Sequence, residues 1–290
     1  MSNIEEKVLL LCVNYQNDSE TLAFLRSVFE TDRAGRVRVA VADNTVRSDT
    51  ERTRFKLEAE SIGQYVCVTS ANTNLGYFGG LNAAFEKASI EYPEILFSCV
   101  VLSNTDIEFG SSHFFDELVE SIDHRTRASL LNNIGVIAPV IQSSRTGANQ
   151  NPLYRRKPSR GKFSYLSAIY SVYPLGVAHR LLSKVKNFVK NKSNIGKVEL
   201  KDEAIYAAHG SFMVMLHEYF ARGGKLAYPE FLFCEEIFVA EQCASLGLTT
   251  LFCPSLRVVH RENATTGLLP SRKIVSYLQR SHLYCRDNYL

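Results

Sequence analysis

Short apolar runs that each close on a polar residue, separated by segments with helical spacing, predict an α/β chain: a mixed, mainly parallel sheet flanked by helices. Three observations carry this. The runs at residues 8–13, 99–102 and 134–141 are almost uniformly apolar rather than alternating, the pattern of strands covered on both faces. The stretches between them are long enough for crossover helices. A content of 46% hydrophobic and 22% charged residues over 290 positions is that of a folded globule and leaves no room for extensive disorder.

In chain order, KVLLLCV at residues 7–13 reads as a first strand, and Asn14-Tyr15 opens into Asp18-Ser19, which cap a helix reaching about Phe29. Val37–Ala42 is a second strand closing on Asp43-Asn44, followed by a charged helix from Ser48 to Ile62. Tyr65–Thr69 is a third. The loop Asn72-Thr73-Asn74-Leu75-Gly76-Tyr77-Phe78-Gly79-Gly80 comes next, and a helix is expected over Leu81–Ala88. The stretch Ser98–Gly110, SCVVLSNTDIEFG, is a fourth strand delivering Asn104-Thr105-Asp106 at its carboxyl end. In open α/β sheets that end is where ligands bind, and a carboxylate there can reach a divalent cation on a polyphosphate. A helix over His113–Ile122 and a strand over Ile134–Ile141 follow. Ile205–Leu216 and Leu251–Val259 read as further strands, and Glu235–Leu246 as a helix ended by Gly247. The first hundred residues are therefore Rossmann-like.

Cysteines at 12, 67, 99, 234, 243, 253 and 285 show no zinc-like spacing and sit mostly inside apolar runs, so they read as reduced core thiols. No run of eighteen apolar residues is present, and MSNIEEKV is acidic and polar where a secretory signal would be basic and then apolar. A cytoplasmic protein is expected. Charge is unevenly placed. Residues 152–198 hold eleven Lys or Arg and no Asp or Glu against a total of +3, so the rest of the chain carries −8. A localised anionic partner is implied rather than nucleic acid coating the whole protein.

Polar clusters close strands or open the following elements at Asp43-Asn44, Asn74–Asn82, Asn104–Asp106, Glu235-Glu236 and His260. Singly, each reads as a turn, a helix start or a core imidazole. Together they fall in the order that a nucleotide-sugar site needs: base recognition, sugar positioning, metal ligand, catalytic carboxylate.

On these landmarks, VNYQN (13–17), VADNTVRSD (41–49), NTNLGYFGGLNAAF (72–85), VLSNTDIEF (101–109), HGSFMVM (209–215) and FLFCEEIFVAEQCASLG with VVH (231–260), the chain resembles the inverting family 2 glycosyltransferases of GT-A fold, in their rhamnosyl- and galactofuranosyltransferase-like branch. The resemblance covers nearly everything except the basic segment. It implies one domain over 1–290: a nucleotide-sugar-binding half at 1–110, an acceptor half at 111–267 with a basic insertion at 142–204, and a C-terminal helix at 268–290. It implies donor-binding roles for Asn14, Asp43, Asn74, Gly76, Gly79, Gly80, Asn82, Asn104, Asp106 and Gly210, with Asp43 on the nucleobase or ribose. Asp106 matches the last carboxylate of the family's DxD motif, whose first position here is Asn104, leaving one carboxylate for the metal. His260 would be a second ligand of Mg²⁺ or Mn²⁺, an ion that stabilises the departing diphosphate. Glu236 matches the general base and Glu235 would orient the site, although neighbours on a helix point about 100° apart and the sequence leaves open which one faces the acceptor.

The implied activity is transfer of a sugar from a UDP- or dTDP-linked donor to a hydroxyl of a glycan or polyprenyl-diphosphate-linked acceptor, in bacterial surface polysaccharide assembly. A sugar nucleotidyltransferase would want Gly, Arg and Lys directly after the first strand, which VNYQND lacks. A non-catalytic nucleotide-sugar or glycan-binding module is the other alternative. Ala178, Leu181, Leu182, Val185, Phe188 and Val189 recur at helical spacing among lysines, the pattern of a basic amphipathic helix. Such a helix either packs its apolar face on the domain or lies on an anionic membrane surface, here the cytoplasmic face of an inner membrane.

Overall fold

The computed structural model describes residues 5–128, 132–193, 201–262 and 270–290. In chain order the first six elements are β1 (Glu5–Asn14), α1 (Asp18–Thr31), β2 (Val37–Asp43), α2 (Asp49–Ile62), β3 (Val66–Thr69) and α3 (Gly76–Glu91). Next come β4 (Phe97–Ser103), β5 (Ile107–Phe109), α4 (Phe114–Arg127), β6 (Ile134–Ser143), α5 (Arg160–Ser171) and α6 (Tyr173–Ser193). Then follow β7 (Glu203–Ile205), β8 (Phe212–Leu216), α7 (His217–Ala221), α8 (Glu235–Ser245), β9 (Thr249–His260) and α9 (Arg272–Asn288).

The strands form one sheet in the order β3-β2-β1-β4-β8-β6-β9-β5, with β7 also on β9. β1 pairs in parallel with β2 and β4, β2 with β3, and β6 with β9. β8 is antiparallel to both β4 and β6, and β5 and β7 are antiparallel to β9. Six of the nine strands therefore point the same way, and the carboxyl ends of β1, β2, β4, β6 and β9 open on one edge of the sheet.

The uniform apolar runs are explained by burial on both faces. In β1, Val8, Leu10 and Cys12 enter one core with residues of α1, α2 and α4, while Leu9 and Leu11 enter the other with α3, α7 and α8. α2 begins with a full capping box: the Ser48 side chain accepts from the Glu51 N–H while the Glu51 side chain accepts from the Ser48 N–H.

Four expectations are corrected. α3 starts at Gly76, not Leu81, so most of the glycine loop is the helix's first turns. The expected Ile205–Leu216 strand is two short strands, β7 and β8, interrupted by residues 206–211. α1 is preceded by Asn17 as N-cap, with no side-chain capping bond. The basic segment contains two helices, α5 and α6, where the spacing predicted one. All seven cysteines are free and all but Cys234 are buried.

Candidate active site

Two adjoining clefts open at the carboxyl edge of the sheet. The first, about 310 Å³, is bounded by Tyr15 after β1, Asn44 after β2, Asn74, Gly76 and Tyr77 at the start of α3, Asn104 and Asp106 after β4, and Lys273 and Tyr277 of α9. The second, about 410 Å³, shares Asn17, Glu20, Thr105 and Asp106 with it and continues to Glu108 and Arg261. Asp106 stands where the two meet.

Strand parity decides which polar residues reach the cleft. Asn14 and Asp43 are register partners and continue the series Val8, Leu10, Cys12 and Val37, Val39, Val41, all turned towards α1 and α2. Both are buried. The Asn14 amide donates to Asp43 Oδ1 (3.0 Å) and Asp18 Oδ1 (2.8 Å), and Thr21 donates to Asn14 Oδ1 (2.9 Å). Arg47 locks the group, reaching Asp18 Oδ1 at 2.8 Å and Asp43 Oδ1 at 3.0 Å. Its hydrogen bond to Asp18 holds that carboxyl below its usual range. Asn14 and Asp43 thus lie beneath the cleft as framework, not on its wall. Asn44, of opposite parity, is the residue of β2's end that lines it.

Asn44 Nδ2 donates to the Gly76 carbonyl (2.8 Å) and faces Asn74 Oδ1 at 3.3 Å; Asn74 Oδ1 in turn accepts from the Gly76 N–H at 2.9 Å. Gly76 has φ +77°, and a Cβ there would lie 2.0 Å from the Phe231 carbonyl oxygen, so neither backbone nor space admits a side chain. Gly79 and Gly80 are helical; Gly80 packs against Val13 and the Asn44 amide. Asn82 donates to Glu86 Oε1 (2.8 Å) one turn along α3 and does not line either cleft.

Asp106 and His260 are brought together because β5 pairs with the end of β9. His260 Nε2 lies 3.2 Å from Asp106 Oδ1, and its Nδ1 lies 2.9 Å from Gln150 Oε1. The Gln150 amide nitrogen donates to Glu262 (2.7 Å), which fixes the carbonyl towards the imidazole and makes Nδ1 the protonated nitrogen. Nε2 then faces the carboxylate as proton carrier or as a bare lone pair. Among the described residues no three His, Cys, Asp or Glu side chains gather around one point. A carboxylate and an oriented imidazole nonetheless fit a Mg²⁺ or Mn²⁺ ion whose other positions are filled by ligand oxygens and water.

The third part is the interrupting segment 206–211. Asn104 N–H donates to the Ser211 carbonyl (2.9 Å), Tyr77 Oη donates to the Gly210 carbonyl (3.2 Å), and the Gly210 N–H donates to Glu236 Oε1 (3.2 Å). A Cβ on Gly210 would sit 2.8 Å from that same oxygen. His209, 6.1 Å ring to ring from His260, has its pKa lowered to about 4 by burial and then by His260. Glu235 and Glu236 open α8 after two consecutive left-handed residues, Phe233 (φ +74°) and Cys234 (φ +65°). Glu235 is buried, its Oε1 accepting from the Phe233 N–H (2.9 Å), and burial followed by Glu236's charge raises its pKa to about 8. Glu236 is only half-buried, and burial raises its pKa as well.

Residues the sequence reading did not single out complete the wall. Phe231 and Tyr277 stack at 4.5 Å, and Lys273 lies 5.9 Å from the Tyr277 ring. Phe231 falls inside the landmark at 231–260, whereas Lys273 and Tyr277 lie beyond it without any signal, since their meeting is tertiary.

No family model and no curated protein matches the chain. Solved structures do. GalNAc-T7 crystallised with UDP, GalNAc and Mn²⁺ superposes with a TM-score of 0.53 at 12% identity, over 88% of this chain and 44% of that one. The mannosyltransferase PcManGT from Pyrobaculum calidifontis, in complex with GDP-Man and Mn²⁺, gives 0.51 at 12% identity, over 96% and 70%. TarS from S. aureus gives 0.50 at 9% identity, over 98% and 44%. The chain thus spans less than half of GalNAc-T7 and of TarS. What it shares with them is a mixed, mainly parallel sheet between helices: the chain has the fold of the GT-A glycosyltransferases.

Proposed function

We propose that this chain is an inverting glycosyltransferase that moves a sugar from a UDP- or dTDP-linked donor to a hydroxyl of a glycan or lipid-linked glycan acceptor, in surface polysaccharide assembly. The observation that supports the reading is convergence: Asn74, Gly76, Asn104 and Asp106 line one cleft, His260 reaches Asp106 from behind, and Gly210, whose N–H bonds Glu236, is tied to the cleft wall through Tyr77, while Glu236 itself is not on that wall.

In this reading the close-packed backbone at Gly76 and the Asn44–Asn74 pair shape the wall against which the donor lies. Asp106 and His260 would hold a divalent cation, which supplies charge to offset the leaving diphosphate when bound. Lys273, lining the same cleft, adds a cation where Asn104 replaces a carboxylate, so the diphosphate is neutralised from two sides. Glu236 takes the proton from the acceptor hydroxyl as that oxygen attacks the anomeric carbon. Its raised pKa makes it a stronger base than an exposed carboxylate, and the Gly210 N–H fixes its direction. Glu235, buried and bonded to the turn, positions its neighbour. GalNAc-T7 and PcManGT, solved with a nucleotide or nucleotide sugar and Mn²⁺, support the donor class.

The test is a thermal-shift screen of nucleoside diphosphates and their sugars with Mn²⁺, followed by donor hydrolysis. Stabilisation by a nucleotide sugar together with release of nucleoside diphosphate supports transfer. Stabilisation without turnover of any donor, with or without acceptor glycans, replaces the proposal by the binding-module reading.

A further inference from the structure

No described residue of 152–193 lines either cleft, and the structure sorts the charges of residues 152–183. Arg155, Lys157 and Arg160 pair with Glu203, Glu241 and Asp287 of the body. Lys162 and Arg180 lie over the rings of Tyr154 and Phe233, at 4.5 and 5.7 Å. The next four basic residues, Lys184, Lys186, Lys190 and Lys192, fall in the last ten residues of α6, a stretch with no acidic residue.

The apolar stripe of α6 is turned outward. Leu175 is 55% and Leu182 70% exposed, with exposed Ala178 between them, and Tyr165 and Val172 of the preceding helix and link are exposed too. Four of the nine exposed large hydrophobic side chains among the described residues thus lie on this hairpin. α6 rests on the domain through other positions: Gly176 against Val275 and Tyr170, and Val177 in the cluster with Leu166 and Leu278. The sequence continues with Val at 185 and 189 and Lys at 184, 186, 190 and 192.

We propose that the α5–α6 hairpin docks on an anionic lipid bilayer surface, the exposed apolar residues of α6 entering to headgroup depth and the lysines that follow them in sequence meeting lipid phosphates. Charge complementarity selects this occupant. A second copy seated symmetrically on the same stripe would set lysine against lysine, with no acid on either segment to answer. Among the described residues no helix is long and apolar enough to cross a membrane, so attachment would be peripheral. The same helix that holds the hairpin also walls the cleft: Val275 and Leu278 of α9 pack with α5 and α6, Lys273 and Tyr277 line the cleft, and Ile274 touches both. Docking would therefore present the cleft to an acceptor anchored in the lipid, a step that rests on the transfer reading above, whereas the docking itself does not.

The experiment is co-sedimentation of the full chain with phosphatidylcholine vesicles and with phosphatidylcholine–phosphatidylglycerol vesicles over a salt series. The parent is expected on anionic vesicles only, released as salt rises. Changing Lys184, Lys186, Lys190 and Lys192 together to Gln is expected to weaken partitioning on the order of a thousandfold at low salt. Leu175→Ser with Leu182→Ser, both at exposed positions, is expected to weaken it without lowering the melting temperature. Equal binding to neutral vesicles, or a Gln variant that still sediments like the parent, overturns the proposal. So does a dimer in analytical ultracentrifugation that the Leu175/Leu182 variant abolishes, since a second copy would then cover the face. Transfer to a short soluble acceptor should be the same in parent and variants; if the parent transfers nothing, the transfer reading fails while the vesicle result stands by itself.

Discussion

Gly210→Ala separates catalysis from stability. The new Cβ would stand 2.8 Å from Glu236 Oε1, closer than van der Waals contact allows, and the atom it meets is the far end of a flexible side chain. The carboxylate swings away at little cost, because Gly210 is not in the left-handed region. It loses the bond from the Gly210 N–H (3.2 Å) that aims it. A hydrogen bond to a charged group contributes roughly 1.5–3 kcal/mol, so if that bond is felt at the transition state kcat should fall about ten- to hundredfold. Because Glu236 is only half-buried, solvent replaces the lost bond in the resting protein, and the melting temperature should move by less than about 2 °C for a chain of this size. The donor's Kd should hold within about twofold, because neither Gly210 nor Glu236 lines the cleft proposed for it. The assay is single-turnover transfer with saturating donor, alongside calorimetric titration of the nucleoside diphosphate. Gly161→Ala, where a Cβ meets nothing within 4 Å, is the control and should leave kcat unchanged. A Gly210→Ala enzyme with parental kcat would refute the placement of Glu236 as base.

Glu236→Gln should lower transfer by at least about a hundredfold with donor affinity nearly intact, whereas Glu235→Gln should retain measurable turnover; the reverse order would exchange their roles. Asp106→Ala and His260→Ala should each weaken Mn²⁺-supported donor binding at least about tenfold, read by calorimetry with and without the ion; unchanged Mn²⁺ dependence in both removes the metal assignment. Stability should fall as pH rises from 6.5 to 8. Glu235 binds its proton more tightly folded than unfolded, so its contribution is full below pH 4.5 and lost towards pH 8. His209 and His282, lowered to about 4, act in the opposite sense but only below 6.5. Melting temperatures across this window should flatten in Glu235→Gln; an equally steep fall in that variant would disprove the cause.

How much of this was legible depended on whether the signal was local. The first four strands could be read because burial on both faces leaves a nearly unbroken apolar run, interrupted in β2 only by Arg38, and α2 because Ser48 and Glu51 sit at capping-box spacing. β5 has three residues, too few for any period, yet it delivers Asp106 to His260. The start of α3 was hidden because its glycines argue for a loop, whereas close packing on Val13, Asn44 and Phe231 is what demands them. Asp43 shows the limit of reading by position alone. The strand ends there, but the parity of Val37, Val39 and Val41 already turns it inward and turns Asn44 to the cleft. The aromatic wall from Phe231 and Tyr277 joins residues 46 positions apart in sequence, and no pattern in the chain announces it.

Phe233 and Cys234, the two left-handed residues ahead of Glu235, carry a further consequence. Each non-glycine residue in that conformation costs on the order of 1–2 kcal/mol. The turn persists because others hold it: Tyr228 Oη donates to the Phe233 carbonyl (3.0 Å), and Ser281 Oγ of α9 donates to the Leu232 carbonyl (2.5 Å). Anyone seeking a hardier protein would find this turn an inviting place for glycine, which relaxes the backbone. The relaxed turn would no longer be compelled to present the two glutamates, so gains in heat resistance made here should come at the expense of turnover, and the C-terminal helix should resist trimming for the same reason.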